Sequence, residues 1–271
     1  MKKSIKNFIK NIRFSFFGLQ SNFFTDTPLE TKDYYKNLYN EEISKKYIEI
    51  DELENKLGYK IDKDWINNLA LDTQIVIKKN KINFQHGRIL YAFLRHYIIK
   101  NNLTNVTILE TGTSRGFSSV CMSKAINDSS IIGKIITFDI LPHNKKMYWN
   151  AISDHNGKRS RSELLSKWSK ELINIIFIEG WTNTQLNKTG ILRINFAFLD
   201  GQHEYENVMQ EYRYVLDRQE KGDIIIFDDV LEVQYSGVNQ AVSEIKKNGL
   251  YKIDYIKSSN LRGYAIATKI Q

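Results

Sequence analysis

From residue 105 onward, short apolar runs alternate with stretches of helical spacing. The runs cover 106–109, 134–138, 175–178, 194–199 and 223–227. Near-continuous apolar character suits strands buried on both faces, as in a parallel sheet covered by crossover helices. Helical spacing fills the intervals at 117–126, 161–172, 205–217 and 238–248. Two last runs, 251–256 and 263–268, are separated by a short turn and predict an antiparallel hairpin. The expected fold class is α/β: a Rossmann-like sheet of seven strands, parallel but for the hairpin, with helices on both faces. The pattern alone also suits other doubly wound folds. Before residue 105 the reading is mostly helical. Residues 34–57 alternate Glu and Lys among aromatics, as solvated helices do. Gly58 and the Asp62-Lys63-Asp64 cluster punctuate this region, and a helix over 85–101 puts Ile89, Leu90, Phe93, Tyr97 and Ile98 on one side. Two parts are expected: a helical extension over 1–100, and a ligand-binding domain over 101–271. The extension would serve as a lid, a dimerisation element or a membrane-surface contact.

Composition narrows the picture without changing it. The chain has 271 residues, 42% of them hydrophobic, enough for a sizeable core. No apolar run approaches the ~18 residues of a membrane span. A single cysteine, Cys121, excludes an internal disulfide and fits a cytoplasmic setting. The net charge is +8. It fits nucleic acid, an anionic membrane or an acidic small molecule as partner, but a Lys-, Asn- and Ile-rich compositional bias accounts for it more simply. Residues 1–19 carry Lys2, Lys3, Lys6, Lys10 and Arg13 beside a helical stripe of Ile5, Phe8, Ile9, Ile12 and Phe16. Such a stripe either packs on the body or a second copy, making a homodimer, or rests on an anionic membrane surface.

The first apolar run of the domain leads into Glu110-Thr111-Gly112-Thr113-Ser114-Arg115-Gly116, followed by a helix. Ligands in open α/β sheets bind beyond the carboxyl ends of strands, and a tight turn there needs Gly where the backbone approaches the ligand. The spacing is neither the G-x-G-x-x-G of a dinucleotide site nor a P-loop. Absence of a pyrophosphate cradle favours a ligand such as S-adenosylmethionine, whose carboxylate can meet free N–H groups at the helix start. Glu110, Gly112, Thr113, Ser114 and Gly116 are therefore cofactor candidates. Asp139 ends the next run, where a carboxylate either accepts the ribose hydroxyls or caps a turn. Gly180 and Trp181 follow the third run, with Trp181 a candidate adenine wall or a core residue.

Asp200 ends the fourth run and Asp228-Asp229 the fifth. On neighbouring strands these carboxylates would converge and repel unless a cation compensates them. Oxygen ligands of this kind suit Mg²⁺ or another divalent ion, which acidifies a bound hydroxyl and aligns it with the methyl group. Asp200, Asp228 and Asp229 are the metal candidates, against the alternative that they cap the following turn. Asp200 also faces the cofactor. His203 is the candidate base, since imidazole titrates near neutrality; a structural hydrogen bond at the helix start is the alternative. Residues 140–174 form a long insert with His143, Lys145, Lys146, Lys158, Arg159 and Arg161. It is expected to wall the acceptor site, its Arg and Lys holding a phosphate or carboxylate or else facing water, so that changes at Arg159 and Arg161 would raise the acceptor KM.

Four stretches carry a family resemblance. They are Ile108-Leu109-Glu110-Thr111-Gly112-Thr113-Ser114-Arg115-Gly116, Thr137-Phe138-Asp139, Phe198-Leu199-Asp200-Gly201-Gln202-His203-Glu204-Tyr205 and Ile226-Phe227-Asp228-Asp229. The chain resembles class I S-adenosylmethionine-dependent methyltransferases, in the group with small-molecule and sugar O-methyltransferases of the macrocin type. The resemblance implies divalent-metal-assisted O-methylation of a hydroxyl on a small molecule or sugar/glycan precursor, anionic if the insert's cations face it. Some relatives carry an acid where this chain has Gln202, which leaves the base open. A nucleic-acid methyltransferase is the second reading. Against it, no Asn/Asp-Pro-Pro-aromatic tetrapeptide occurs, since the only prolines are Pro28 and Pro142, so no nucleic-acid partner is expected. A non-catalytic cofactor-fold binding protein is the third.

Overall fold

The computed structural model describes residues 27–78, 82–231, 235–258 and 262–271. The basic stripe of residues 1–19 lies outside the described residues. The seven strands are β1 (Asn105–Thr111), β2 (Ile132–Asp139), β3 (Ile175–Glu179), β4 (Phe196–Leu199), β5 (Ile224–Phe227), β6 (Tyr251–Lys257) and β7 (Gly263–Lys269). They form one sheet in the order β3-β2-β1-β4-β5-β7-β6. Neighbours from β3 to β5 are parallel, and β7 runs antiparallel to both β5 and β6. The expected sheet, hairpin included, is the observed one.

Strand side chains alternate between faces, and the core divides accordingly. Ile108, Phe196, Phe198, Ile226 and Ile266 belong to one buried cluster, while Leu109, Ala197, Leu199, Ile225, Phe227 and Ala267 belong to another. On the first face lie α4 (His86–Lys100) and α5 (Phe117–Asp128), through Ile89, Leu90, Leu94, Val120 and Ile126. The second is covered by α9 (Tyr205–Leu216) and α10 (Ser236–Lys247), through Val208, Met209, Val215, Val242 and Ile245. Among the described residues no helix is long and apolar enough to cross a membrane.

The N-terminal helices are α1 (Lys32–Ser44), α2 (Ile48–Leu57) and α3 (Lys63–Thr73). Tyr35, Ile50, Ile66 and Leu69 join the same core cluster as α4 and the sheet. The charged stretch 34–57 is thus two helices with buried inner faces. The Asp62-Lys63-Asp64 cluster starts a helix that the sequence pattern did not disclose: Asp62 is the N-cap of α3 and accepts a 2.7 Å hydrogen bond from the Trp65 N–H.

The insert also departs from expectation. In place of one helix over 161–172 there are a short α6 (Arg161–Leu164), a 3₁₀ turn (Ser166–Trp168) and α7 (Ser169–Leu172). The tighter turn accompanies burial of Leu164, Leu165 and Trp168 together. One more short helix, α8 (Thr182–Leu186), comes after β3. Asn150 ties the insert to the N-terminal helices: its side-chain oxygen accepts from the Tyr35 hydroxyl at 3.2 Å and the Ile77 N–H at 3.1 Å, and its amide donates to the Ile77 carbonyl at 2.7 Å.

Candidate active site

Register sets the site. Thr111 lies opposite both Phe138 and Leu199, and Leu199 opposite Phe227, so the turns after β1, β2, β4 and β5 open on one edge. A cleft of about 800 Å³ occupies that edge. Gly112, Thr113, Ser114, Asp139 and Trp181 line one end, and Asp200, His203, Asp229 and Arg262 line the other.

One glycine joins the two ends. Gly112 has φ +85°, and a Cβ there would lie 2.0 Å from the Asp200 backbone oxygen. The turn after β1 can therefore rest directly on the end of β4 only while this residue lacks a side chain. The same contact brings the glycine loop beside the first acid of the cluster.

Beneath the loop, Glu110 is fully buried and accepts hydrogen bonds from Ser118, Ser119 and Thr137. Burial raises its pKa, and the three hydroxyls work against that rise. Glu110 lies behind the wall of the cleft; its contribution is to pin β1, β2 and the start of α5 together. Gly180 and Gly116 also lie off the lining, with Gly116 (φ +89°) packed against Leu165. Asp139 reaches the cleft, but its carboxylate accepts from the backbone N–H groups of Ser114 and Leu141 and sits 3.9 Å from Arg161. It braces the loop as well as facing the ligand space.

Arg161 corrects the reading of the insert. Its guanidinium donates to the Ser114 carbonyl at 2.8 Å and the Leu141 carbonyl at 3.2 Å, with only 2% of its side chain exposed. The rings of Trp149 and Phe177 lie 5.6 Å from it. A charge so enclosed cross-links the turns after β1 and β2 and does not reach an acceptor. Arg115, also buried, donates to the Trp149 carbonyl at 2.6 Å. Ile140, Leu141 and Asn150 are the insert's contribution to the cleft.

The acid cluster differs from the expected trio. Asp228 is turned away from the cleft: Arg262 donates to both of its oxygens, at 2.6 Å and 3.3 Å, and its side chain is 0% exposed. His203 takes its place. Its Nε2 lies 3.2 Å from Asp229 and 3.9 Å from Asp200, and one donor atom from each of the three residues fits within 4.8 Å of the others. The His203 ring stacks on Tyr235 at 4.0 Å, which fixes its plane. Asp229 adopts φ +57°, and this left-handed turn directs it into the cleft while Asp228 faces the sheet. Burial pushes the Asp200 carboxyl well up, with Asp228 and Asp229 adding to the effect. The donor set fits a divalent cation, whose charge would relieve this repulsion. An imidazole beside two carboxylates suits Mn²⁺ or another transition ion better than Mg²⁺. Gln202, where some relatives carry an acid, lines the cleft uncharged.

Lys78, His86 and Arg262 are among the lining residues that carry no signal in the sequence. All come from segments without a motif. Burial drives the His86 imidazole well below its usual range, and Arg262 and Lys78 add to this. Burial also lowers the Lys78 ammonium to about 8, with the Arg262 charge contributing.

Residues 109–230 match the family model of a methyltransferase domain. The fold is similar to that of several solved structures. One is the O-methyltransferase TomG from Streptomyces achromogenes in complex with SAM, at 14% identity and TM-score 0.55, covering 78% of this chain and 92% of that one. Another is the O-methyltransferase from Bacillus cereus in complex with SAH, at 14% identity and TM-score 0.51, covering 83% and 92%. The chain resembles the class I S-adenosylmethionine-dependent methyltransferases. A cofactor-bound protein from MTB is similar to the same degree, at 14% identity and TM-score 0.55 over 77% and 90% of the two chains. No curated protein matches the chain in sequence. The matched span begins at Leu109 and ends at Val230, so it contains the loop and all three acids but none of Lys78, His86 and Arg262.

A second buried acid behind the site gives a pH prediction. Glu211 of α9 is 2% exposed, accepts one hydrogen bond, from Thr111 at 2.9 Å, and is raised by burial to about 8. A carboxyl whose folded pKa exceeds its unfolded one holds its proton better in the folded chain. Its stability penalty is absent below the unfolded value of 4.5 and grows until pH passes about 8. Glu211→Gln is therefore expected to melt above wild type at pH 8.5 and to converge with it near pH 4.5. Each unit of the shift is worth about 1.4 kcal/mol, which sets the upper bound on the difference. Thermal melts of both proteins across that range check this; a constant difference at all pH values would refute it.

Proposed function

We propose that this chain transfers the methyl group of S-adenosylmethionine to a hydroxyl of a small molecule or sugar precursor, assisted by a divalent cation. The observation that carries the reading is the contact of Gly112 with Asp200, which sets a loop suited to the cofactor's amino-acid end against a cation-binding cluster. Free N–H groups at the start of α5 suit the cofactor carboxylate. Asp139 and Trp181 line the space for the nucleoside. A bound divalent cation would acidify the acceptor hydroxyl and orient it.

Asp200, Asp229 and His203 would hold that cation. His203 serves one partner at a time through its Nε2: the cation, or the hydroxyl proton. Asp228 keeps Arg262 in place, and Arg262 in turn lies 3.4 Å from Asp229 and steadies that carboxylate. Methyl transfer needs two reactants aligned in a site shielded from water. The insert, the N-terminal segment around Ile77 and the start of α10 supply the walls.

The test is thermal-shift titration with S-adenosylhomocysteine or NAD, with Mn²⁺, Mg²⁺ or chelator. At a ligand concentration near 100 times its Kd, S-adenosylhomocysteine should stabilise the fold by about 2.7 kcal/mol, and NAD should not. A shift with NAD alone would overturn the proposal.

A further inference from the structure

Among the described residues, Lys78, Arg115 and Arg262 are the lysine and arginine side chains that line the cleft. Two of them are engaged with protein groups. Arg115 donates to the Trp149 carbonyl. Arg262 is paired with Asp228 and Asp229. Arg161, just behind the wall, is consumed by Ser114, Leu141 and Asp139. His86 also lines the cleft, but its burial holds the imidazole neutral. Lys78 differs. It is partly buried, and its ammonium makes no hydrogen bond or ion pair among the described residues. Its place is nevertheless fixed, because the neighbouring Ile77 is clamped at both its N–H and its carbonyl by Asn150. An ammonium partly stripped of water, with no hydrogen-bond or ion-pair partner among the described residues, is unfavourable; burial and the Arg262 charge lower its pKa against the opposing pull of Asp229 and Asp228.

Charge balance points the same way. At this end of the cleft Asp200, Asp228 and Asp229 face Arg262 and Lys78, while Glu204 is exposed at the rim. The cofactor brings a sulfonium and the cation site a further double charge. With the exposed Glu204 set aside, the loaded cleft holds more positive than negative charge even after the acceptor hydroxyl has lost its proton, so an anionic group on the acceptor is accommodated.

We infer that the acceptor carries an oxyanion, either a carboxylate or a phosphate, near the hydroxyl to be methylated, and that Lys78 binds it. This deepens the proposed function and rests on it. The expected anion site moves from the insert, where Arg161 is enclosed, to the N-terminal segment. The specificity of the reaction is then set partly outside the matched domain.

Fluorine-NMR line widths of monofluorophosphate and fluoroacetate measure this directly. Each probe is titrated with the full chain in the presence of S-adenosylhomocysteine and Mg²⁺. Wild type should broaden at least one probe, and the one it broadens names the oxyanion. Lys78→Gln should weaken that binding at least about fivefold, as expected for loss of a charge-assisted hydrogen bond, while Lys78→Arg should retain it. Unbroadened probes with wild type, or equal binding by Lys78→Gln, would overturn the inference; the latter would place the anion on the metal. The thermal shift with S-adenosylhomocysteine, read on the same samples, separates the two levels. If it is absent, the methyltransferase reading fails. If it is present without probe binding, only the oxyanion inference fails.

Discussion

An Asp200→Asn variant is expected to lose Mn²⁺ binding by about 100-fold or more while binding S-adenosylhomocysteine within a few-fold of wild type. Loss of a group that merely supports a metal ligand typically costs about 10–100-fold in affinity, and a direct carboxylate donor should lie at or beyond the upper end. Asn preserves the shape of Asp200 and its backbone contact with Gly112, so the glycine loop should remain in place. Asp228→Asn is the instructive contrast. That carboxylate is fully buried against Arg262, and removing its charge leaves a guanidinium inside the protein with a weaker partner. Breaking such a pair costs about 3–5 kcal/mol, so the defect should appear chiefly as a lower melting point. Mn²⁺ binding followed by loss of the free-ion EPR signal, with melts alongside, distinguishes the two. Equal metal loss in both variants with unchanged melting points would reverse the assignment of Asp228 and His203.

Gly112→Ala should be the most damaging small substitution in the domain. The left-handed backbone by itself costs an alanine about 1–2 kcal/mol. The Cβ would also lie 2.0 Å from the Asp200 oxygen, a backbone atom that can yield only if β1 and β4 separate. A total of at least about 3 kcal/mol is expected, together with loss of the thermal shift by S-adenosylhomocysteine. Gly58→Ala isolates the first contribution, because Gly58 also has a left-handed backbone (φ +81°) but nothing within 4 Å of its added Cβ. Its melting point should fall by the smaller amount, with cofactor binding intact. If both variants behaved alike, the contact between loop and acid cluster would not be what holds the site together.

The strands were legible because burial on both faces leaves a local trace. Ile224, Ile225, Ile226 and Phe227 are all buried, two against each helical layer, so the run reads as apolar without a break. The hairpin was legible from the closeness of its two runs. The glycine loop, Asp139, Asp200, His203 and Asp229 could be named from the sequence because each lies at or just beyond the end of a strand, and the carboxyl edge of a parallel sheet is where ligands bind. Helix α3 was obscured for a local reason: the polar cluster at 62–64 looks like a loop until Asp62 is recognised as a helix cap.

The fate of Asp228 shows where local reading stops. Successive strand residues point to opposite sides, so two adjacent acids at the end of β5 need not enter the same cleft. That signal was available. Which of them turned inward depended on Arg262, which is brought alongside by the pairing of β7 with β5, and on the left-handed turn at Asp229. The insert's cations raised the same difficulty in reverse: Arg161 read as a charge that either holds the acceptor or faces water, and the structure shows it as a buried brace.

The sequence by itself determined the sheet, its hairpin, the glycine loop and the edge at which the acids gather, since each is written in the periodicity or turn chemistry of one short segment. Only the tertiary structure decided that His203 joins Asp200 and Asp229, that Asp228 belongs to Arg262, and that Lys78 faces the cleft. Those outcomes depend on partners distant along the chain, and the direction a charged side chain takes is set by what packs beside it.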